Sequence, residues 1–314
     1  MRQTIHLSAP PSVLSWANIG GKYEKDGPLA PYFDQLDPDS FFGETTYEKA
    51  ESAMQRYVLS KALEKAHLNS EQLDCIFGGD LLNQCVGSAY AMRGVGAPYL
   101  GLYGACSTMA ESLLLAASFV NAGYARRAGA ITSSHFASAE RQYRFPLGYG
   151  GQRTPTAQWT VTGSGCCIVS SSGKGPFVEC ATVGKIQDFG IKDANNMGAA
   201  MAPAAVDTIR QHFEDFGRRP QDYDLIVTGD LGVLGKQIVL EQMKLDGFDL
   251  TGRYDDCGVM IFDSVRQDVH AGGSGCGCSA SVLCGHLLRR MREGKLKRLL
   301  FCATGALLSP MSLG

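Results

Sequence analysis

The chain has 314 residues, of which 45% are apolar and 19% are charged, a composition typical of a soluble globular protein. This length suits two domains or one duplicated domain. The net charge of -2 lacks the basic excess of nucleic-acid-binding proteins, so we expect no nucleic-acid partner. No stretch approaches the roughly 18 apolar residues of a membrane span, and the N-terminus lacks the apolar region of a signal peptide. The sequence therefore predicts a soluble, cytoplasmic protein.

The chain contains 11 cysteines, an odd number, in mostly apolar or glycine-rich stretches. Such contexts are typical of reduced, buried thiols in a cytosolic protein. No pair has the C-x-x-C spacing of a zinc site, and Cys276 and Cys278 are too close for it, with no second ligand pair. We therefore expect no metal site.

In chain order, the first strong feature is a helix, a strand and a loop that occur twice. The helical segments read YEKAESAMQRYVLSKALEKAHL at 47–68 and APAAVDTIRQHFEDFG at 202–217, with apolar residues at spacings of three and four. The strands and loops that follow them read LDCIFGGDLLNQ and YDLIVTGDLGVLG. Asp80 and Asp230 occupy the same place in the two Gly-Asp-Leu loops.

Each loop is followed later in the chain by a Cys-Ser pair, an apolar helix, a basic turn and a strand. CSTMAESLLLAASFVNAGYARRAGAITSS begins at Cys106, and CSASVLCGHLLRRMREGKLKRLLFCATG begins at Cys278. Because the elements recur in the same order, the sequence predicts a tandem duplication. The stretch SSSGKGP is typical of a linker. The predicted halves are residues 1–172 and 173–314.

The helix after Cys106 is apolar nearly all round, so we expect it to be buried on every side. The strands AGAITSS and KRLLFCATG are short and apolar, which favours mostly parallel strands covered on both faces. One such helix from each half, packed between two sheets, predicts an α/β fold with five layers in the order α-β-α-β-α.

Two tandem halves with a cysteine at the start of a buried helix resemble the thiolase fold, which thiolases and ketoacyl synthases share. GSGCCIVSSSG from Gly163, GGSGCGCSAS from Gly272 and ATGALLSP from Ala303 resemble motifs of that fold. GGDLLNQ, YGACSTMAES, HAGGSGCGCSAS and FCATGALLSP together resemble the stage V sporulation protein AD family over nearly the whole chain. This resemblance implies a thiolase-like protein, without a cofactor, that binds dipicolinic acid (pyridine-2,6-dicarboxylic acid) and helps load it into the developing spore.

Cys106 is a candidate nucleophile, because a helix N-terminus favours the thiolate and the turn YGACS resembles a nucleophile elbow. A small side chain packed against an apolar helix explains the same residue equally well. Thiolase-fold enzymes pair this cysteine with a His in one loop of the second half and a His or Asn in another. Here the first loop carries Asp230, and the second carries Ser274 and Cys276. Since an aspartate would oppose thiolate formation, we expect the cavity to bind a ligand rather than to catalyse.

Further candidates could hold dipicolinate. Arg153 belongs to the segment 140–159, whose arginines and aromatic residues could bind carboxylates and stack on a pyridine ring, although a dimer interface has the same composition. His270 precedes the glycine loop and His135 ends a strand, and each either reaches the cavity or is a hydrogen-bonded structural residue.

Asp80, Asn83 and Asp230 carry oxygen ligands that would suit the cation of a calcium–dipicolinate chelate. Aspartates also cap loops and helix starts routinely. We expect one of the two aspartates to have only that capping role, and at least one to lie near the ligand.

Three functions stay open. The leading hypothesis is a non-catalytic protein that binds dipicolinic acid, free or as its calcium chelate, at the periphery of the spore inner membrane together with other subunits of a spore membrane transport complex. The alternative is an acyl-CoA-dependent thiolase or ketoacyl synthase-type acyltransferase with Cys106 as nucleophile. The third is a structural subunit without a small-molecule ligand. By analogy with the fold, we also expect a homodimer that pairs through the strand near APYLGLY.

Overall fold

The computed structural model describes residues 3–143 and 153–306. The first half forms, in chain order, β1 (Thr4–His6), β2 (Ser12–Gly20), β3 (Gln35–Leu36), α1 (Tyr47–Ala66), β4 (Cys75–Gly79), α2 (Val86–Met92), β5 (Tyr99–Gly101), α3 (Thr108–Asn121), β6 (Arg127–Ser134), α4 (Phe136–Tyr143), β7 (Trp159–Thr160) and β8 (Gly163–Ser170). The second half forms β9 (Cys180–Thr182), α5 (Met197–Phe216), β10 (Leu225–Thr228), α6 (Gly232–Leu245), β11 (Tyr254–Asp256), α7 (Cys257–Met260), β12 (Gly273–Ser274), α8 (Cys276–Val282), a π-helical turn (Leu283–Leu287), α9 (Leu288–Arg292) and β13 (Leu299–Cys302).

The first half builds a six-stranded sheet in the order β3-β2-β8-β6-β4-β5. β4 pairs in parallel with β5 and β6, as the apolar strand pattern predicts. β8 runs antiparallel to both of its neighbours, with Cys167 opposite Trp16 of β2 and opposite Ala130 of β6. The sheet is therefore mixed, and β8 is the exception to the expected parallel arrangement.

The second half builds a parallel three-stranded sheet in the order β11-β10-β13. Ile226 of β10 lies opposite Tyr254 on one side and Leu300 on the other. Two short ladders join the halves, because β1 pairs with β9 and β7 pairs with β12.

Helices cover the sheets in five layers. α1 packs on one face of the six-stranded sheet, while α3 and α8 pack on its other face and contact each other. Val227 of the second sheet belongs to the same core as α3 and α8, which places these helices between the sheets. α5 and α6 pack together on the far side of the second sheet.

The helix α3 is not buried on every side, and that expectation was wrong. Met109, Ala116 and Val120 are buried, but Leu113–Leu115 are only half-buried. These leucines line a cavity of about 1050 Å³ between α3, β13 and the segment 176–192. Burial on one face and a cavity on the other explain why the helix is apolar all round.

The helix α8 approaches the first sheet very closely. A Cβ on Gly277 would lie 2.4 Å from the carbonyl oxygen of Gly163, and a Cβ on Gly165 would lie 2.6 Å from that of Ala280. Glycine is needed where backbones come this close. The contact holds the loop before α8 at the end of the first sheet.

The predicted duplication is visible in details of the backbone. Asp74 accepts hydrogen bonds from the N–H groups of Arg126 and Arg127, and Asp224 accepts them from Lys297 and Arg298 at the same place in the second half. In the parts of the chain described, no helix is long and apolar enough to cross a membrane.

Candidate functional site

Cys106 lies on a sharp turn. One turn of 3-10 helix, Ala105–Ser107, carries it into α3. Ala105 has φ +50°, in the left-handed region that costs a non-glycine residue roughly 1–2 kcal/mol. Gly305 approaches from the second half, where a Cβ would lie 2.5 Å from the carbonyl oxygen of Gly104. The turn therefore fixes Cys106 at the boundary between the halves, where it is only 7% exposed.

Asp230 faces Cys106 from the second half. It follows β10, and its Oδ2 accepts a hydrogen bond from the N–H of Gly275 at 2.7 Å. Its Oδ1 is buried and accepts no hydrogen bond from an N–H or O–H group of the described residues. The neighbour of this carboxyl is the Cys106 thiol.

Two buried side chains hold the Asp230 loop in place. Asp256 accepts hydrogen bonds from the N–H groups of Leu231 and Gly232 at 2.8 and 2.9 Å. Gln158 donates to the carbonyl oxygen of Asp230 at 2.8 Å. The position of the Asp230 carboxyl is thus set by contacts from both halves.

The electrostatics of the pair favour uncharged groups. Burial, and next the negative Asp230, raise the pKa of the Cys106 thiol well above its ordinary value of 9.0. Burial raises the pKa of Asp230 to about 7, although the Cys106 thiol and the Gly275 N–H partly oppose that shift. At neutral pH, Cys106 is therefore a thiol rather than a thiolate.

Cys276 and Ser274 do not supply a base. The Cys276 thiol is fully buried and donates to the carbonyl oxygen of Ser133 at 2.9 Å. Ser274 lies in β12, where its backbone pairs with β7. Ser274 ends β12 and Cys276 begins α8, on either side of the Gly275 that contacts Asp230, but neither residue carries a basic group.

Asp80 holds its own loop. Its Oδ1 accepts the N–H of Leu82 at 2.8 Å, and its Oδ2 accepts both the N–H and the hydroxyl of Ser88 at 2.6 Å. Asn83 is exposed and accepts a hydrogen bond from the Tyr103 hydroxyl at 3.2 Å. The structure therefore gives Asp80 a capping role and does not bring Asn83 to Cys106.

Arg153 and His270 meet at Asp268 instead of at Cys106. Arg153 forms an ion pair with Asp268 at 3.1 Å and lies over the Trp159 ring at 4.9 Å. His270 Nε2 lies 3.0 Å from the same carboxylate. Residues 144–152 of the arginine-rich and aromatic segment lie outside the described residues.

No histidine of the chain interacts with Cys106 or Asp230 in the described residues. The six imidazoles have other contacts: His6 with Phe216, His67 at the end of α1, His135 with Ser40, His212 with Tyr223, His270 with Asp268 and His286 with Tyr32. Burial lowers the pKa of His135 to about 4, so that ring is neutral and structural.

Sequence reasoning missed a buried polar network beneath the first loop. Glu51 accepts hydrogen bonds from Ser133 and Ser138 at 3.0 Å, and burial followed by the nearby Asp80 raises its pKa to about 8. Gln55 donates to Ser133 at 2.8 Å. The sequence does carry a signal for this network, because Glu51 and Gln55 are polar residues at positions that belong to the apolar, buried face of α1.

Comparison with known proteins assigns the chain to a family. The chain matches the stage V sporulation protein AD family over residues 1–314. It is 46% identical over 309 residues to stage V sporulation protein AD of Bacillus subtilis (strain 168), which covers 98% of this chain and 91% of that protein.

Solved structures with the same fold include 3-oxoacyl-[acyl-carrier-protein] synthase III of Aquifex aeolicus VF5, at a TM-score of 0.59, 14% identity and coverage of 95% and 97% of the two chains. Cerulenin-bound OleA of Xanthomonas campestris aligns at a TM-score of 0.61, 14% identity and coverage of 95% and 94%. These likenesses confirm the thiolase-like fold. The chain therefore belongs to the stage V sporulation protein AD family and is a sporulation protein with a thiolase-like fold.

Proposed function

We propose that this protein binds dipicolinic acid without catalysing a reaction on it, and helps to load it into the developing spore. The observation that carries the proposal is the Cys106–Asp230 pair. A carboxyl stands where a thiolase-fold enzyme would have an imidazole, and it opposes the thiolate that acyl transfer needs.

The pair offers a ligand polar groups inside an apolar surrounding. Cys106, Leu231 and Cys302 belong to one buried core, and Asp230, next to Leu231 in the chain, is buried with one oxygen unpartnered among the described residues. The start of α3 adds the positive end of a helix dipole beside Cys106. These features suit one carboxyl group of a small planar acid, with the ring against apolar walls.

One observation favours the acyltransferase alternative. The bent backbone at Ala105 and the position of Cys106 before α3 are the geometry in which a cysteine nucleophile is presented. Incubation with acyl-CoA and intact-mass measurement distinguishes the two functions. A stable or turning-over acyl adduct on Cys106 supports the enzyme, whereas an unmodified protein supports the binding function.

Calorimetric titration of dipicolinate, with and without calcium, tests the proposal. We expect saturable binding by the wild type that Asp230→Ala and Cys106→Ala weaken at least about tenfold. Cys75→Ala is the matched control, because Cys75 is also a buried free thiol but lies in β4. No binding under either condition would contradict the proposal, as would equal losses in all three variants.

The proposed setting is the periphery of the spore inner membrane, in contact with other subunits of a spore membrane transport complex, with the protein as a homodimer. β5 supports the dimer, since it is the last strand of its sheet and Leu100 is 42% exposed. Leu100→Lys should convert the dimer to a monomer in light scattering after size-exclusion chromatography. A wild-type monomer would remove the dimer from the proposal.

A further inference from the structure

The carboxyl of Asp230 is buried without a counter-ion. The Cys106 thiol lies beside it. The other ionisable groups near enough to interact with it electrostatically are the thiols of Cys257, Cys276 and Cys278 and the carboxyl of Asp256, none of which is positively charged. A single N–H, that of Gly275, reaches Oδ2. Oδ1 has no hydrogen-bond partner among the described residues, and the one further donor beside the carboxyl is the weak S–H of Cys106.

An isolated buried carboxylate is so costly that the group takes up a proton instead. The resulting carboxylic acid has one O–H donor, which an ionised carboxyl lacks. Oδ2 already accepts from Gly275, so the proton belongs on Oδ1, the buried atom that has no partner among the described residues.

Resting on the proposed function, we infer that Asp230 in its acid form donates a hydrogen bond from Oδ1 to a carboxylate oxygen of the bound dicarboxylate, and that binding is coupled to the uptake of one proton. The acid–carboxylate pair shares that proton, and no covalent bond to the ligand forms. An ionised Asp230 would repel the dicarboxylate, whereas the acid form donates to it, and the charge of the carboxylate makes that hydrogen bond stronger than one to an uncharged carbonyl.

The coupling has a definite sign. The carboxylate of the ligand raises the pKa of Asp230 above the value of about 7 that it has in the free protein. Affinity therefore changes little below pH 7 and falls by up to about tenfold per pH unit above it. A calcium chelate would reverse the sign, because an ionised Asp230 would then coordinate the cation and a proton would be released.

Titration calorimetry of calcium-free dipicolinate in phosphate and in Tris, which differ in ionisation enthalpy, counts these protons. The carboxyls of the ligand ionise near pH 4 and do not contribute at pH 6 or 8. We expect an uptake approaching one proton per ligand at pH 8 and near zero at pH 6. Asp230→Asn keeps a donor and should bind without uptake at either pH.

Glu24→Gln is the matched control. Glu24 is also fully buried with a pKa of about 7, but it accepts the N–H of Thr162 and is not in the site. This variant should keep the full uptake at pH 8. Binding with no uptake or with proton release, or uptake that persists in Asp230→Asn, would overturn the inference and leave dipicolinate binding intact. No binding by the wild type at either pH would overturn the proposed function and the inference together.

Discussion

Asp80 and Asp230 stand at the same place in the two repeats, but their carboxyls have different surroundings. Asp80 accepts three hydrogen bonds, one from Leu82 of its own loop and two from Ser88 of the helix α2 that follows. Asp230 accepts one, from Gly275, lies beside Cys106 and leaves its other oxygen without a partner among the described residues. One aspartate stabilises a loop, and the other leaves a polar atom for a ligand.

The cysteines of the two repeats differ in the same way. Cys106 lies on a bent turn beside Asp230, whereas Cys278 lies within α8 in the core between the sheets. The duplication therefore gives the two cysteines equivalent positions in the chain, and the different residues around each of them give them different roles.

The largest expected effect is on stability. Asp80→Ala leaves three buried donors without an acceptor, at about 1–3 kcal/mol each, so we expect a loss of at least about 3 kcal/mol in the free energy of unfolding. Asp230→Ala removes one hydrogen bond and a costly buried acid, so its loss should be about 1 kcal/mol or less. Urea unfolding followed by circular dichroism measures both. Equal losses would show that the two carboxyls have the same structural role.

The next effect is the dependence of stability on pH. Burial raises the pKa of Asp230 to about 7 and that of Glu51 to about 8, above the values near 4 that carboxyls have in an unfolded chain. The folded state then binds more protons, so its stability is fully present below pH 4 and is lost as pH rises through 7 and 8. Each carboxyl that is still protonated in the folded state costs about 1.4 kcal/mol per pH unit, so we expect a decrease of several kcal/mol between pH 5 and 8. Asp230→Asn should flatten the part of the curve below pH 7, and a curve that rises over this range would contradict the assignment.

A smaller effect concerns the reactivity of Cys106. Asp230→Asn removes the negative charge that opposes the thiolate, so the rate of alkylation by iodoacetamide at pH 8 should rise about tenfold. Asp80→Asn should leave the rate unchanged, because Asp80 is not among the groups that raise the pKa of Cys106. Peptide mapping by mass spectrometry follows the modified cysteine. Equal acceleration in both variants would indicate general loosening of the fold.

The smallest effect is at Ala105. Glycine adopts its φ of +50° without strain, so Ala105→Gly should stabilise the protein by up to about 1 kcal/mol. Its counterpart in the second repeat, Gly277, has no room for a Cβ, so Gly277→Ala should destabilise. Thermal unfolding of both variants measures this contrast. A loss of stability in Ala105→Gly would show that the bend at Cys106 is not strained.

The resemblance to the thiolase fold predicted the meeting of Cys106 and Asp230, because enzymes of that fold pair their cysteine with a residue from the loop in which Asp230 lies. The sequence did not predict the hydrogen-bond partners of Asp80, because an aspartate in a Gly-Asp loop can either cap the loop or contact a ligand. The pairing of Arg153 with Asp268, 115 residues apart, has no local signal. The roles of Glu51 and Asp256 could not be predicted either, because they follow from burial and hydrogen bonds that are visible only in the folded chain.

The most direct test is the pH at which wild-type Cys106 becomes a thiolate. Alkylation with iodoacetamide between pH 6 and 10, quantified at Cys106 by peptide mapping, gives its apparent pKa. We expect a value above 9 and no acyl adduct from acyl-CoA at neutral pH. A Cys106 that titrates at or below pH 7 and accepts an acyl group would contradict it.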